Sequence, residues 1–414
     1  MKAHWGVKKK RRNYVSIWVF FLLVVSVNFF DLIPVTRVIG TNGPFAFYLI
    51  SLFLMFTFNR RAWIRDSSSW LRPFWWLVAG IVLSWIPALM YYGQSFVQSF
   101  FTYRKMFELV AFPILIALRP SERELRWALY GFSILYLVVS LMVTFIAPWW
   151  VPQPEDSPLL MEGDLIVGLS GVRHLSLAFI FSLQRVIKDN NLRNMGWALF
   201  EFALLFLVQN RTSLIAAIII VGYLVIKMKM SPQKLLLIAT GSIAVLLMIV
   251  YTSGQWELLY QETIEQIFNP EYNRNKAYVY MFSHRSLLQH LLGTGYISAN
   301  VNPIIHILQE SGIFHSDVGM IGMWHQYGVI PTIVILVMTI KGLVEKKSFL
   351  VKACAIYIIV GIPTLSFYGI GESLLWLSIY LYVYYSDNLP VFRDDSKTVR
   401  SIGWTKGRFR SIGG

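Results

Sequence analysis

Long apolar runs with few charges recur along this 414-residue chain, and they constrain its fold more than any other feature. A helix needs about 20 apolar residues to cross the hydrocarbon core of a bilayer, and most of the runs approach that length. The chain is 56% hydrophobic and only 14% charged, which is too little charge for a soluble domain of this size. The sequence therefore predicts an all-α polytopic membrane protein.

We predict about 12 transmembrane helices within a single transmembrane domain, 1–414. The first run is too long for the apolar part of a secretion signal and has no small-residue cleavage site, so we interpret it as a span. No internal repeat is evident, so the inverted-repeat transporter folds gain no support. The predicted spans are 14–33, 43–58, 74–92, 98–118, 127–147, 172–187, 194–209, 211–227, 235–252, 317–340, 349–366 and 371–386.

The basic residues predict an orientation for these spans. With the N-terminus in the cytoplasm, 29 of the 37 Lys and Arg residues fall on the cytoplasmic side, as the positive-inside rule requires. Both termini are then cytoplasmic, and 387–414 forms a basic cytoplasmic tail. The net charge of +15 does not indicate nucleic-acid binding, because the cations are scattered over short loops instead of forming a patch.

One large extracytoplasmic loop is predicted at 253–316, and a shorter Trp- and Pro-rich loop at 148–171. Two stretches of the large loop, 256–268 and 277–292, have the mixed apolar and polar composition of short amphipathic helices that could lie along the outer membrane surface. Long loops within compact proteins usually carry function. We therefore expect functional residues in or beside this loop.

Eight cations remain on the predicted outer face. Several guanidinium groups converging there would suit a phosphate or pyrophosphate, because Arg binds such anions in a bidentate manner. The alternative is that each Arg pairs with a nearby acid, as Arg104 would with Glu108 one turn later, or reaches a lipid phosphate. The eight cations are Arg37, Arg104, Lys105, Arg173, Arg211, Arg274, Lys276 and Arg285.

The histidines also concentrate in one region, with four of the seven between positions 284 and 315. None has the HExxH spacing of a zinc site, and Cys354 is the sole cysteine, so we expect neither a metal site nor a cofactor. His315 precedes a predicted span in the sequence His315-Ser316-Asp317. It could accept a proton from a hydroxyl nucleophile, or the triplet could simply begin a helix.

Several short segments, taken in order, resemble the O-antigen polymerase/O-antigen ligase superfamily. The turn 209–214, Gln-Asn-Arg-Thr-Ser-Leu, resembles the family's "SRT/SRG" turn, with Asn210 in place of the usual Ser. The segment 168–174 resembles the "SG…N" start of a middle span. Arg274 with 293–296, Gly-Thr-Gly-Tyr, resembles the "R…GxGY" stretch of the large outer loop, and His315-Ser316-Asp317 with 328–330 resembles the "HN/HSD" signature.

This resemblance implies a metal-independent glycosyltransferase that uses a polyprenyl-diphosphate-linked glycan as donor. Its pyrophosphate would be bound by Arg211 and Arg274, with Arg173 and Arg104 as further substrate-binding residues. His315 would be the catalytic base that activates the acceptor hydroxyl. The resemblance also implies the bacterial cytoplasmic (inner) membrane as location. The implied partners are the lipid-linked oligosaccharide, membrane lipids, and flippase and chain-length regulator proteins.

Three functions are compatible with these residues. The first is a polysaccharide polymerase that joins O-antigen, exopolysaccharide or capsule repeat units at the outer leaflet. The second is an O-antigen ligase that transfers a finished glycan to another acceptor. The third is a transporter or flippase for a lipid-linked sugar, which would be expected to carry charges deep within its spans and to show repeat symmetry. The "HSD" form and its spacing favour the polymerase.

Overall fold

The fold was analysed on a computed structural model of the chain. It describes residues 2–39, 42–58, 60–151, 169–189, 191–208, 210–227, 273–283, 285–298, 301, 318–346, 348–363 and 371–386. Across these ranges the regular structure is helical, with no strand. The described part of the chain is therefore all-helical, as its apolar runs predict.

Sixteen α-helices follow one another along the described residues, with short 3₁₀ turns between some of them. They are α1 Lys2–Ser26, α2 Ile33–Ile39, α3 Gly43–Phe58, α4 Arg60–Tyr92, α5 Phe96–Thr102, α6 Ala111–Leu118, α7 Glu122–Phe145, α8 Val172–Lys188, α9 Leu192–Leu207, α10 Arg211–Lys227, α11 Asn273–Phe282, α12 Leu287–Leu292, α13 Gly319–Tyr327, α14 Val329–Val344, α15 Phe349–Gly361 and α16 Gly371–Ser386.

Two of the described helical stretches are long and apolar enough to cross a membrane, namely Leu71–Tyr92 and Glu122–Phe145. A third span results if the bent pair Ile33–Ile39 and Gly43–Met55 counts as one. Shorter apolar helices of 10–17 residues include Tyr14–Ser26 and Thr212–Ile226. These helices indicate a membrane protein.

Three predicted spans are not continuous helices, and the prediction of a single helix is wrong in each. The run 14–33 leaves α1 after Ser26 and continues as the 3₁₀ segment Asn28–Asp31. The run 98–118 is divided into the end of α5, a 3₁₀ segment Arg104–Val110, and α6. The run 317–340 is divided at Gly328, whose φ of +79° ends α13 before α14 begins. Hydropathy reports composition, and it is insensitive to a change in backbone hydrogen bonding inside an apolar run.

The large predicted loop is only partly described. Its second amphipathic stretch, 277–292, is helical, but it forms two helices, because Ser286 begins α12 with a capping box to Gln289. The first stretch, 256–268, the predicted span 235–252 and the predicted tail 387–414 lie outside the described residues.

Helix α8 lies at the centre of the bundle. It packs against α7, α9, α10, α15 and α16, and nearly all of its first thirteen residues are buried. Helix α16 is also buried along most of its length, including the large ring of Trp376. The first residues of α8 and α16 lie side by side. We call this end of the bundle, where Arg173 and Glu372 meet, the Arg173 end.

Candidate functional site

A buried ion pair occupies the Arg173 end. The Nε atom of Arg173 lies 3.6 Å from Oε1 of Glu372, and the two side chains are only 9% and 11% exposed. Neither group is fully satisfied, since Arg173 Nη1 and Glu372 Oε2 are buried without a hydrogen-bond partner. The pair joins the first turn of α8 to the first turn of α16. It also offsets most of the positive charge that Arg173 would otherwise offer to an anion.

His174, the next residue of α8, contacts two neighbouring helices. Its Nε2 atom lies 2.7 Å from the Ser26 hydroxyl at the end of α1, and its ring meets Phe132 of α7 edge to face. The side chain is fully buried. His174 therefore fastens three helices together beside the ion pair.

Arg211 is the first residue of α10, and its helix begins next to the ion pair. The side chain of Asn210 accepts a hydrogen bond of 3.0 Å from the backbone amide of Ser213, as an N-cap does. The Ser213 hydroxyl lies 3.2 Å from the hydroxyl of Tyr357 on α15. Tyr357 in turn interacts electrostatically with Arg173. Asn and Ser are interchangeable N-caps, which accounts for Asn210 at this turn.

Arg274 is the second residue of α11, and this helix lies over the end of α15. The Tyr278 hydroxyl donates a hydrogen bond of 3.2 Å to the carbonyl of Pro363, just beyond α15. The backbone amide of Met320 donates to the neighbouring Ile362 carbonyl at 2.9 Å. Helices α8 and α10 pack against α15, and α11 contacts the chain just beyond its end.

Two of the predicted substrate-binding residues, Arg173 and Arg211, therefore begin helices that meet near Tyr357 of α15, while Arg274 lies near the start of α11. Arg173, Arg211 and Arg274 each stand in the first turn of a helix. The unpaired amides of a first turn carry partial positive charge and attract anions, so an Arg there adds to a field that already favours negative charge.

Arg104 does not form the ion pair that the alternative interpretation gave it. It begins the 3₁₀ segment Arg104–Val110, and within the described ranges no ion pair joins it to Glu108. The expected i, i+4 pair requires α-helical geometry, and the tighter 3₁₀ turn rotates the two side chains apart. Glu108 instead points inward, where it is 5% exposed and near Glu372.

The two glycine-containing segments singled out in the sequence meet in the fold. The amides of Thr294 and Gly295 donate to the carbonyls of His325 and Gln326 at 2.9 and 2.8 Å, which joins the segment after α12 to the end of α13. A Cβ at Gly293 would lie 2.4 Å from the Gln326 carbonyl oxygen, and one at Gly328 would lie 2.3 Å from the Leu291 carbonyl oxygen. Only glycine permits this approach of the two backbones.

The tyrosine that follows these glycines extends the junction. The ring of Tyr296 stacks on Tyr103 with centroids 5.5 Å apart, and Tyr103 in turn contacts Tyr327 at 5.0 Å. The side chain of Gln94 binds the backbone of Tyr296 and Ser298. The glycine-tyrosine segment therefore fixes the end of α4 to α13 and to the start of the 3₁₀ segment.

The predicted catalytic base, His315, lies outside the described residues, and so do His284 and His306. The side chains of Arg211 and Arg274 are likewise outside what the structure describes, and only their backbone positions are given. Among the described residues, no three His, Cys, Asp or Glu side chains are grouped as metal ligands.

The sequence analysis did not single out Glu372, and it named Glu108 only as a possible partner of Arg104. Both acids lie within predicted spans, and a carboxyl group inside a span is costly enough that it usually has a partner or a function. The position of these carboxyl groups inside predicted spans was visible in the sequence. The partner of Glu372 was not, because Arg173 and Glu372 are far apart in the chain.

Comparisons with models of known protein families and with curated proteins found no match to this chain.

Proposed function

We propose that this chain is a polysaccharide polymerase of the bacterial cytoplasmic membrane. It would transfer a glycan from a polyprenyl-diphosphate carrier to the hydroxyl of an acceptor sugar at the outer leaflet. The observation that carries the proposal is the position of Arg173 and Arg211 in the first turns of α8 and α10, two helices that both pack against α15. The junction of 293–296 with Gly328 supports it, because both segments belong to the resemblance.

The proposed chemistry needs neither a metal nor a nucleotide sugar. The acceptor oxygen attacks the anomeric carbon, the bond from that carbon to the phosphate oxygen breaks, and the carrier diphosphate leaves. His315 takes the proton of the acceptor hydroxyl. Cations that hold the diphosphate more tightly as its charge develops lower the barrier. Arg211 and Arg274 are proposed for this role, while Arg173 and Glu372 hold the helix starts together.

The proposed topology has about 12 spans, both termini in the cytoplasm and the Arg173 end outside. A topology reporter fused after Ser298 should then report an extracytoplasmic position, because the loop is predicted to face outward. A reporter fused to the C-terminus should behave as cytoplasmic. If the Ser298 fusion gives a cytoplasmic signal, the orientation is reversed and the proposed site faces the wrong leaflet.

Arg211→Ala and His315→Ala should each abolish long glycan chains while the protein remains in the membrane at normal levels. Removing the first weakens diphosphate binding, and removing the second removes the base. The measurement is the length distribution of surface glycan on a gel, beside an immunoblot of the membrane fraction. Lys276→Ala is the matched control, since it removes an exposed cation from α11 and should leave chain length unchanged. Full-length polymer in both variants would refute the proposed site.

Deletion of the gene separates the three functions. Loss of long chains with single repeat units still attached indicates a polymerase. Polymer that is made but never attached indicates a ligase. Repeat units that accumulate on the carrier at the cytoplasmic leaflet indicate a flippase, and this outcome would overturn the proposal.

A further inference from the structure

A strained turn connects α1 to α2 at the Arg173 end. Four consecutive residues, Asn28 to Asp31, have φ between +46° and +62°, and none of them is a glycine. Asn and Asp tolerate this left-handed backbone, but bulky side chains such as those of Phe29 and Phe30 make it costly. Strain of this kind persists only where the surrounding structure enforces it, and it is concentrated at functional sites. The turn is therefore a candidate for a functional segment.

Phe30 holds the turn against the core. Its side chain is buried and lies against the rings of Phe132 and Tyr136 on α7, with centroids 5.5 and 5.8 Å away. The Tyr136 hydroxyl also donates a hydrogen bond of 2.9 Å to the Leu169 carbonyl and accepts one of 3.0 Å from the Leu169 amide. The turn and the segment that precedes α8 are thus fixed on the same part of α7.

Asp31 is the residue that this arrangement presents at the surface. Its side chain is partly exposed, and its Oδ1 and Oδ2 atoms accept hydrogen bonds of 2.9 Å from Asn28 Nδ2 and 3.0 Å from the exposed Ser170 hydroxyl. An ionised carboxyl group has about four acceptor positions, so these two bonds orient Asp31 without using its full capacity. The first amides of α2 donate to the Leu32 carbonyl, so Asp31 is not needed as the cap of that helix.

The charge around Asp31 favours a neutral ligand. Within the described ranges no cation forms an ion pair with Asp31, and the Glu372 carboxyl group is close enough to interact with it electrostatically. Two neighbouring carboxylates repel a phosphate or another carboxylate. A neutral group that carries hydroxyl donors fills the remaining acceptor positions without this repulsion.

An exposed aromatic ring lies near the turn. Helix α2 begins two residues after Asp31 and packs against the 3₁₀ turn Pro148–Trp150, where Trp149 is 66% exposed. At seven residues α2 is about 10 Å long, which is comparable to a disaccharide. An exposed Trp by itself is ordinary at a membrane interface. Together with an oriented carboxylate it matches the needs of a sugar, whose hydroxyls donate to the carboxylate and whose apolar C–H face packs on the ring.

We propose that Asp31, Ser170 and Trp149 form a binding subsite for a neutral, hydroxyl-rich glycan, which we call the Asp31 subsite. Asp31 accepts hydrogen bonds from sugar hydroxyls, Ser170 orients the Asp31 carboxylate, and Trp149 packs on a sugar ring. The assignment of this glycan to the acceptor rests on the proposed function. The donor end of the substrate carries an anionic diphosphate, which Asp31 repels.

The test measures sugar binding to the purified full-length chain by saturation-transfer difference NMR, in a detergent without a sugar headgroup. The neutral probes are methyl glucoside, methyl galactoside, methyl mannoside, N-acetylglucosamine and rhamnose, and glucuronate is the anionic comparison. We expect saturable transfer to at least one neutral probe and weaker binding of glucuronate. Asp31→Asn should weaken the neutral sugar about tenfold or more, because it removes a charge-assisted hydrogen bond. Asn tolerates the same left-handed backbone, so the turn should stay folded.

Two further variants examine the other members of the subsite. Trp149→Ala should also weaken binding, whereas Trp149→Phe should retain most of it because a ring remains to pack on the sugar. If Asp31→Asn does not fold, Ser170→Ala replaces it, since loss of an exposed hydroxyl leaves the fold intact and frees the carboxylate from its orientation.

Asp189→Asn is the matched control, because it neutralises an exposed acid at the opposite end of α8 and should bind the sugar as the native chain does. Native-like affinity in Asp31→Asn or in Trp149→Ala overturns the proposal, and so does the absence of saturable binding of every neutral probe by the native chain.

These measurements involve no turnover, so the subsite and the polymerase can fail separately. Sugar binding through Asp31, together with unchanged surface glycan after deletion of the gene, refutes the polymerase and leaves the subsite standing. Loss of long chains after deletion, together with no sugar binding by the native chain, refutes the subsite alone.

Discussion

Gly328→Ala should prevent the chain from reaching its folded state. Gly328 has a φ of +79°, and a Cβ there would lie 2.3 Å from the Leu291 carbonyl oxygen and 2.5 Å from the Leu292 carbonyl carbon. A backbone at φ +79° and ψ −171° is essentially restricted to glycine and costs another residue about 1–3 kcal/mol, and forced overpacking costs about 1–3 kcal/mol more. Both colliding atoms belong to the backbone, so no side-chain rotation relieves the contact. The sum is a large part of the ~5–15 kcal/mol that stabilises a typical protein.

The measurement for Gly328→Ala is the yield and the elution profile of the detergent-solubilised protein, with its apparent melting temperature. We expect aggregation or a large drop in that temperature. Gly196→Ala is the matched control, because Gly196 is an exposed residue of α9 with no atom within 4 Å of the added Cβ. That change should be neutral or slightly stabilising, since alanine is the better helix former by about 1 kcal/mol. Native behaviour of Gly328→Ala would mean that α12 and α13 do not meet as described.

Glu372→Ala should destabilise the protein by about 3–5 kcal/mol, because it leaves the Arg173 guanidinium buried without its counter-charge. The two side chains lie 3.6 Å apart and are each about one-tenth exposed. Water therefore does not readily solvate the Arg173 guanidinium group once the carboxylate is removed. The measurement is the apparent melting temperature, which we expect to fall by several degrees or more. A native-like melting temperature would contradict the role of the pair in joining α8 to α16.

Two further variants show whether the cost comes from the unpaired charge. The double variant Arg173→Leu with Glu372→Leu should recover most of the lost stability, because apolar side chains of similar size replace a buried pair well. Asp189→Ala removes the acid of an exposed i, i+4 pair with Arg185 on the same helix. It should cost only about 0.3–0.5 kcal/mol, as exposed pairs do. Equal losses for Asp189→Ala and Glu372→Ala would show that burial is not what matters.

Much of the helical layout follows from the sequence, and its failures have a common cause. The runs 43–58, 172–187 and 371–386 agree with α3, α8 and α16 within one residue at each end. The runs 98–118 and 317–340 agree in position but not in continuity. Apolar composition predicts where a chain is buried. The interruptions of these two helices depend instead on the 3₁₀ segment and on the positive φ of Gly328, both of which are set by packing against neighbouring backbone.

The candidate site divides in the same way. The sequence alone indicates that Arg104, Arg173, Arg211 and Arg274 are exceptional, because each goes against the positive-inside bias. It does not indicate that Arg173 would have an acidic partner, or that Arg104 would lack the pair with Glu108 that the alternative interpretation gave it. An ion pair between distant residues depends on which helices pack together. A count of charges along the sequence does not show which helices are neighbours.

The sequence by itself determined that this chain is a helical membrane protein, because that property follows from its apolar composition and from the length of the apolar runs. Only the tertiary structure decided that Arg173 pairs with Glu372 and that the segments containing Gly293 and Gly328 meet. The physical reason is that these contacts join residues tens to hundreds of positions apart. Hydropathy and residue spacing describe residues that are close in the sequence. Contacts between distant residues depend on how the helices pack.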